Sequence, residues 1–251
     1  MAPDFREAGH LPNQRSDEQA HADPYDLPRQ RRGITPQMHG RYPDWDVLEQ
    51  ARHWDEPTRE VVLRRVQSPP EIRFFTPGEA ETLGAFCDVV THQYRDPRIP
   101  VLAFVDEKLL EGRLDGYRYA DLPADGDTWR VVARGLDHSA RAEWRAESFA
   151  RAPTTVREDV VRAFKDGQVR GAPWREVGVE NAWKVTTRDI LEAFYSHPWA
   201  WNEIGFGGPA YPRGYAAFGS DHLGDDREWW EPREAFDVDP VKDTKARGID
   251  R

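Results

Sequence analysis

The strongest hydrophobic periodicity in the chain lies between residues 77 and 94. Thr76 can cap a helix, Pro77 suits its first position, and Glu79 completes the capping-box spacing. Apolar side chains then recur every three or four residues, which places them on one helical face: Ala80, Leu83, Phe86, Cys87, Val90 and Tyr94. The pattern predicts an amphipathic helix over residues 77–94.

Similar patterns predict helices along most of the remaining chain. One or two short helices fit residues 42–66, a further helix fits residues 101–110, and a long helix begins near Asp127. Capping signals mark three more helix starts, namely Asp55 before Pro57, Thr155 with Glu158, and Thr186 with Asp189. No alternating strand pattern exceeds four residues. The sequence therefore predicts a mainly α-helical protein.

The segment 194–215, FYSHPWAWNEIGFGGPAYPRGY, departs from this pattern. It holds eight aromatic side chains, counting His197, together with four glycines and three prolines. Proline and glycine disfavour a continued helix, and Pro198 requires the preceding helix to end near His197. So much apolar surface is also unlike a disordered linker. We expect an ordered, irregular aromatic loop that packs against the protein's own core, a ligand or another chain.

Composition limits both the domain layout and the partners. The chain has 251 residues and a net charge of -10, which argues against non-specific binding to nucleic acid or to an anionic membrane. No run of 18 apolar residues occurs, so no membrane span is predicted, and the single Cys87 excludes an intramolecular disulfide. We expect a flexible arm over residues 1–40, one compact helical domain over 41–239, and a polar tail over 240–251.

Candidate catalytic chemistry is sparse. Metal donors His197, Glu203, Asp221 and His222 are close in sequence but lack the spacing of a helical zinc site. A metal-dependent enzyme using His197, Glu203 and His222 stays open as an alternative, as does the simpler reading that His197 caps a helix end. GxSxG is absent, and the glycines after residue 204 follow no predicted strand, so neither a hydrolase nor a phosphate-binding loop is indicated.

Recognition through the aromatic loop is the better-supported chemistry. Tryptophan and tyrosine dominate interface energetics, and the loop supplies five large rings: Trp199, Trp201, Phe206, Tyr211 and Tyr215. The same rings could instead pack on the protein's own helices. Aromatic platforms also bind sugar rings, so a carbohydrate-binding module using Trp199, Trp201 and Tyr211 is a further alternative.

Three segments of the chain resemble the gluconate 2-dehydrogenase subunit 3 family. They are FFTPGEAETLGAFCDVV, IPVLAFVDEKL and the aromatic segment itself, and the similarity runs over about residues 74–215. The resemblance implies a small, non-catalytic subunit of a hetero-oligomer. Its partner would be a large FAD-binding oxidoreductase of the glucose-methanol-choline type that oxidises a sugar or polyol. The resemblance places the FAD and the active-site bases in that large subunit, and no cofactor or catalytic residue in this chain.

The partner-binding residues that we predict from the loop and the resemblance are His197, Trp199, Trp201, Asn202, Glu203, Phe206, Pro209, Tyr211, Pro212 and Tyr215. Family members commonly carry a twin-arginine signal. Here Arg31 and Arg32 precede a polar, proline-broken stretch rather than an apolar one. We therefore expect a cytoplasmic complex, with export alongside a signal-bearing partner as the alternative.

Overall fold

A computed structural model describes residues 46–204 and 206–209, and in this part of the chain the fold is mainly α, with no strand. Seven α-helices occur there: α1 Glu56–Gln67, α2 Pro77–Val90, α3 Val101–Leu110, α4 Asp125–Trp144, α5 Thr154–Lys165, α6 Val179–Tyr195 and α7 Pro198–Ile204. Two 3-10 helices, Val47–His53 and Pro173–Arg175, complete the regular structure of these residues. No described helix has the length and apolar content that a membrane crossing requires.

The chain divides into two compact units. The first unit comprises Met1–Ser68 and Trp201–Arg251, and the second comprises Pro69–Ala200, so that the division falls within α7. The single domain that we expected over residues 41–239 stays a prediction.

The second unit is built around α4, which packs against α2, α5 and α6. Its centre holds Trp129 and Phe86, both fully buried, with ring centroids 6.4 Å apart. Gly135 of α4 lets another indole approach, because a Cβ at this position would lie 2.5 Å from the ring of Trp174. That indole also donates a hydrogen bond to Ser139 at 3.0 Å. Close packing of large rings thus supplies much of the core.

The described part of the first unit contains the 3-10 helix Val47–His53 and α1. Asp46 caps the 3-10 helix by accepting from the backbone N–H of Leu48 at 3.0 Å. Asp55 caps α1 by accepting from the N–H of Thr58 at 3.2 Å, as its position before Pro57 predicts. Apolar side chains on one side of each helix are buried: Val47, Leu48, Ala51, Val62, Leu63 and Val66.

Several helix predictions are confirmed. The capping box of Thr76 and Glu79 is present at the start of α2, and α3 spans residues 101–110 as predicted. Helix α2 ends at Val90, earlier than the apolar pattern indicated, because Thr91 forms the C-cap and His92 adopts a left-handed φ of 55°. The hydrophobic periodicity thus predicts the position of the helix correctly, but it does not show at which residue the backbone leaves helical geometry.

Two of the predicted capping signals are wrong. Helix α5 begins at Thr154 after Pro153, and no side chain caps it, although Thr155 and Glu158 have the required spacing. Thr186 and Asp189 lie inside α6 rather than at a helix start. The Thr186 hydroxyl donates to the Ala182 carbonyl oxygen at 2.8 Å, which is a bond that threonine makes within a helix.

The aromatic segment is partly helical, which corrects the irregular loop predicted for it. Helix α6 ends at Tyr195 as expected, but α7 begins at Pro198 and continues to Ile204. Proline is favoured at the first helical position, where no internal N–H partner is needed, so Pro198 starts a new helix while ending the old one. Residues 206–209 are non-helical. The predicted arm 1–40 and tail 240–251 lie outside the described residues.

Candidate functional site

His197 lies in the turn between α6 and α7 and is 1% exposed. Its Nδ1 accepts a hydrogen bond from the backbone N–H of Trp199 at 3.2 Å, and the backbone N–H of His197 donates to the Phe194 carbonyl oxygen at 3.1 Å. The imidazole also packs edge-on against the Trp199 indole, with centroids 5.0 Å apart. Accepting from the second residue of the following helix is the behaviour of an N-cap. The capping interpretation of His197 is therefore confirmed.

Trp201 lies in the first unit and is 6% exposed. Its indole meets the Phe206 ring edge-on with centroids 5.5 Å apart, and its carbonyl oxygen accepts from the Phe206 N–H at 2.9 Å. The guanidinium carbon of Arg65 is 5.9 Å from the indole centroid, a cation–π distance. Burial lowers the pKa of this arginine from its usual value. Trp201 is thus enclosed by side chains of its own chain.

Asn202 joins two segments of the first unit that are far apart in sequence. Its Oδ1 accepts from the backbone N–H of Val47 at 2.7 Å, and its Nδ2 donates to Asp46 Oδ1 at 3.4 Å. The oxygen and the nitrogen of this side-chain amide therefore both have hydrogen-bond partners within the chain. Buried hydrogen bonds of this kind are costly to lose.

The backbone of Gly208 lies close to the side chains of Val47 and Trp54. Its φ is +85°, and a Cβ there would lie 2.8 Å from Trp54 Cζ2 and 2.9 Å from Val47 Cγ2. Only glycine fits both this backbone conformation and this approach. Asn202 is consequently packed on Asp46 and Val47 through its side chain, and Gly208 is packed on Val47 and Trp54 through its backbone.

The structure places the predicted partner-binding residues in three groups. Five are buried in the chain itself: His197, Trp199, Trp201, Asn202 and Glu203. Phe206 and Pro209 are half-buried, and Tyr211, Pro212 and Tyr215 lie outside the described residues. Since Trp199 and Trp201 are only 8% and 6% exposed, their rings offer little face for a sugar or a partner. Their partner-binding role stays a prediction, whereas their role in internal packing is direct observation.

The metal alternative gains no geometric support from the described part of the chain. No group of three His, Cys, Asp or Glu side chains there is arranged to hold a metal ion. Glu203 is buried at 1% exposure and His197 serves as a cap, while His222 lies outside the described residues. The three proposed ligands are therefore not seen together.

A buried charge network centred on Asp189 was missed by the sequence reasoning. Asp189 is 3% exposed, and its carboxylate accepts from Lys108 Nζ and from Trp129 Nε1, each at 3.0 Å. We interpreted this aspartate as a helix-start signal. Its position on the apolar face of α6, four residues after Val185 and one before Ile190, is the signal that could have revealed it.

The network extends outward from Asp189 to the protein surface. Lys108 also bonds Glu192 at 2.7 Å and approaches Asp115 at 3.6 Å. Partial burial acts to lower the pKa of Lys108, but its bonds to Glu192 and Asp189 outweigh burial and hold that pKa above its usual value. Arg188 pairs with Asp115 as well. A protonated, three-partner lysine is a structural cation rather than a nucleophile.

These observations define a mainly helical protein in which Phe194, Trp199 and Trp201 of the aromatic segment are buried in the chain itself. A family model described as Gluconate 2-dehydrogenase subunit 3 matches residues 77–208, just over half of the chain. The chain belongs to this family, which confirms the resemblance seen in its sequence. The family is one of subunits of a multi-subunit dehydrogenase. Searches of curated proteins and of solved structures found no match to the chain.

Proposed function

We propose that this chain is the non-catalytic small subunit of an FAD-dependent sugar or glycoside dehydrogenase, and that it stabilises the large flavoprotein subunit. The observation that carries the proposal is the family match over residues 77–208, which begins at the first residue of α2 and includes all of α7. The large partner, of the glucose-methanol-choline type, supplies the FAD and the catalytic bases. This chain supplies a folded surface on which the partner is held.

The internal structure fits that role. The second unit has a core of interlocked aromatic rings, and its buried carboxylates have hydrogen-bond partners within the unit. Asp106, which is 0% exposed, accepts from the backbone N–H groups of residues 73–75, and Asp189 is held by Lys108 and Trp129. Such a core gives a rigid subunit, and a rigid surface binds a partner with little loss of conformational entropy.

The test is purification of the tagged chain from its native cells under mild conditions. We expect a second polypeptide to co-purify in fixed stoichiometry with the visible absorbance of bound flavin, and the complex to reduce a dye when a sugar is added. A tagged chain carrying Asp159→Ala, which removes only an exposed ion pair with Arg162, is the matched control and should capture the same amount of flavoprotein.

Recovery of the chain alone, folded and without flavin, would refute the proposal. In that case stoichiometric metal in the purified chain would support the metal-dependent enzyme. A saturable change of tryptophan fluorescence on adding a sugar to the chain alone would instead support the carbohydrate-binding module.

A further inference from the structure

The loop between α3 and α4 is fastened to α6 at two points. Tyr117 bonds to Arg188 in the later half of the helix, and Asp121 bonds to Asn181 near its start. Arg188 and Asn181 are seven residues apart, so they lie on the same face of α6, about 10 Å from each other along its axis. We call residues 113–121 the α6 strap, and it runs antiparallel to the helix along this face.

Arg188 holds the first part of the strap through two of its residues. Its Nη1 donates to the Tyr117 hydroxyl at 2.8 Å, and its guanidinium carbon is 5.6 Å from the centroid of the same ring. Its Nη2 pairs with the Asp115 carboxylate, which Lys108 Nζ approaches at 3.6 Å. The side chains of Arg188 and Asp115 are 34% and 29% exposed, so dissolved salt screens their attraction.

Asp121 holds the other end of the strap at the start of α6. Its carboxylate accepts from Asn181 Nδ2 at 2.9 and 3.1 Å, and its carbonyl oxygen accepts from the Gly178 backbone N–H at 2.9 Å. Any Cβ at position 178 would collide with the Asp121 carboxylate, so the close approach requires glycine. Leu122, the next residue, is buried. This end is therefore anchored by an apolar side chain as well as by hydrogen bonds.

The first part of the strap has no buried side chain. Every residue from 111 to 118 is exposed, and Tyr119 is half-buried. Gly112, just before the strap, has a φ of +66° and open space around it where the chain leaves α3. Segments that make few buried apolar contacts open at a low free-energy cost. Little apolar burial is therefore lost when this part of the strap leaves α6.

The charged side chains of this part differ in what they contact. Arg113 pairs with Glu107 at 3.1 Å and with Glu111 at 2.6 Å, so it is tied to the end of α3. Arg118 is exposed. The charged contact with α6 comes from Asp115, through Arg188.

Release of the strap leaves the buried network of the second unit in place. Lys108 keeps its bonds to Asp189 and Glu192, at 3.0 and 2.7 Å, when Asp115 moves away. Trp129 likewise keeps its bond to Asp189. The helices therefore do not have to unfold for the strap to open.

We propose that the α6 strap is a conformational latch built into the fold. Residues 113–119 leave α6 as one unit while Asp121 stays bound, and Arg188 is the side chain that holds them closed. Opening frees the guanidinium from Asp115 and Tyr117, so the strap controls whether this cation is available at the surface. Ionic strength sets the open fraction, because salt weakens the ion pair. This device is independent of the proposed function.

Limited digestion of the folded full-length chain with trypsin tests the latch. Arg113 and Arg118 are trypsin sites inside the strap, and a protease needs a locally unfolded segment. We expect Arg188→Ala to speed cleavage after Arg118 at least about tenfold, and Tyr117→Phe, which removes only the hydroxyl, about threefold. The wild-type rate should rise with added salt, relative to cleavage of a free peptide of the strap sequence.

Arg162→Ala is the matched control, because it also removes one arginine and one exposed ion pair, with Asp159 of α5. It should leave cleavage of the strap unchanged. Mass spectrometry identifies the first bond cut, and circular dichroism with thermal melts shows that each variant folds.

Four outcomes would overturn the latch. The first is a wild-type strap that is cut as fast as the free peptide, and the second is Arg188→Ala cut at the wild-type rate. If Arg188→Ala does not fold, Tyr117→Phe decides, and an unchanged rate in that variant is the third. The fourth is cleavage within α6 that accelerates together with cleavage of the strap, because the helix then opens as well.

Discussion

Replacing Asp189 by alanine is the sharpest test of the buried network in the second unit. The carboxylate accepts from Trp129 Nε1 and from Lys108 Nζ, both at 3.0 Å, and Trp129 is fully buried. In Asp189→Ala the indole N–H is left in the core without its acceptor. The lysine loses one of the carboxylates that surround it.

The size of the effect can be worked from these contacts. An unsatisfied buried N–H costs about 1–3 kcal/mol, and loss of a charge-assisted bond costs a similar amount. Breaking a buried ion pair by removing one partner costs about 3–5 kcal/mol when the remaining charge is stranded. Here Lys108 keeps Glu192 and Asp115 and is 13% exposed, so it is not stranded. We therefore expect the free energy of unfolding to fall by about 3 kcal/mol.

Urea unfolding followed by circular dichroism measures this loss, at an unchanged m-value. Asp189→Asn provides a graded comparison, since its amide oxygen can still accept from Trp129, and we expect roughly half the loss. Asp159→Ala is the surface control, because it removes only an exposed ion pair with Arg162 and should change stability by less than about 0.5 kcal/mol. If Asp189→Ala unfolds with the wild-type midpoint, the network does not stabilise the fold and this reasoning is wrong.

Three further predictions concern other positions. Asp106→Ala should destabilise the second unit by about 3 kcal/mol and speed amide hydrogen exchange at residues 73–75, because those N–H groups lose their buried acceptor. Gly208→Ala should lower stability by about 1–3 kcal/mol through overpacking and a positive φ, and Gly112→Ala, which has a φ of +66° and open space around it, should cost less in the same melt. Burial raises the pKa of the Cys87 thiol, so alkylation should be slow in the folded protein and fast in urea, and fast labelling of the native protein would contradict the structure.

Helix positions were predictable where a local signal agreed with a long apolar pattern. The capping box at Thr76 and the apolar face behind it both favoured α2, and Asp55 with Pro57 did the same for α1. The Thr186 and Asp189 pair has capping-box spacing too, but α6 had already begun at Val179. A three-residue spacing does not show whether the residues before it are already helical. Where α6 begins therefore depends on its tertiary packing and not on this local signal.

The aromatic segment shows a second limit of sequence reasoning. Pro198 was interpreted as a break, although proline both ends one helix and starts the next. For Trp199 and Trp201 the sequence leaves two possibilities open, interface anchors or packing on the protein's own helices, and in the structure each is less than a tenth exposed. Residue type indicates how much free energy a buried side chain can contribute. Only the structure shows whether that side chain is buried in its own chain or available to a partner.

The bond between Asn202 and the backbone of Val47 spans 155 positions of the chain. During translation, residues 46–68 therefore leave the ribosome long before the segment that completes their hydrogen bonding exists. All of Pro69–Ala200 is synthesised before Trp201, and this second unit can form its own core while the first unit is still incomplete. A nascent chain arrested before Trp201 should accordingly hold a protease-resistant second unit behind a protease-sensitive N-terminal segment.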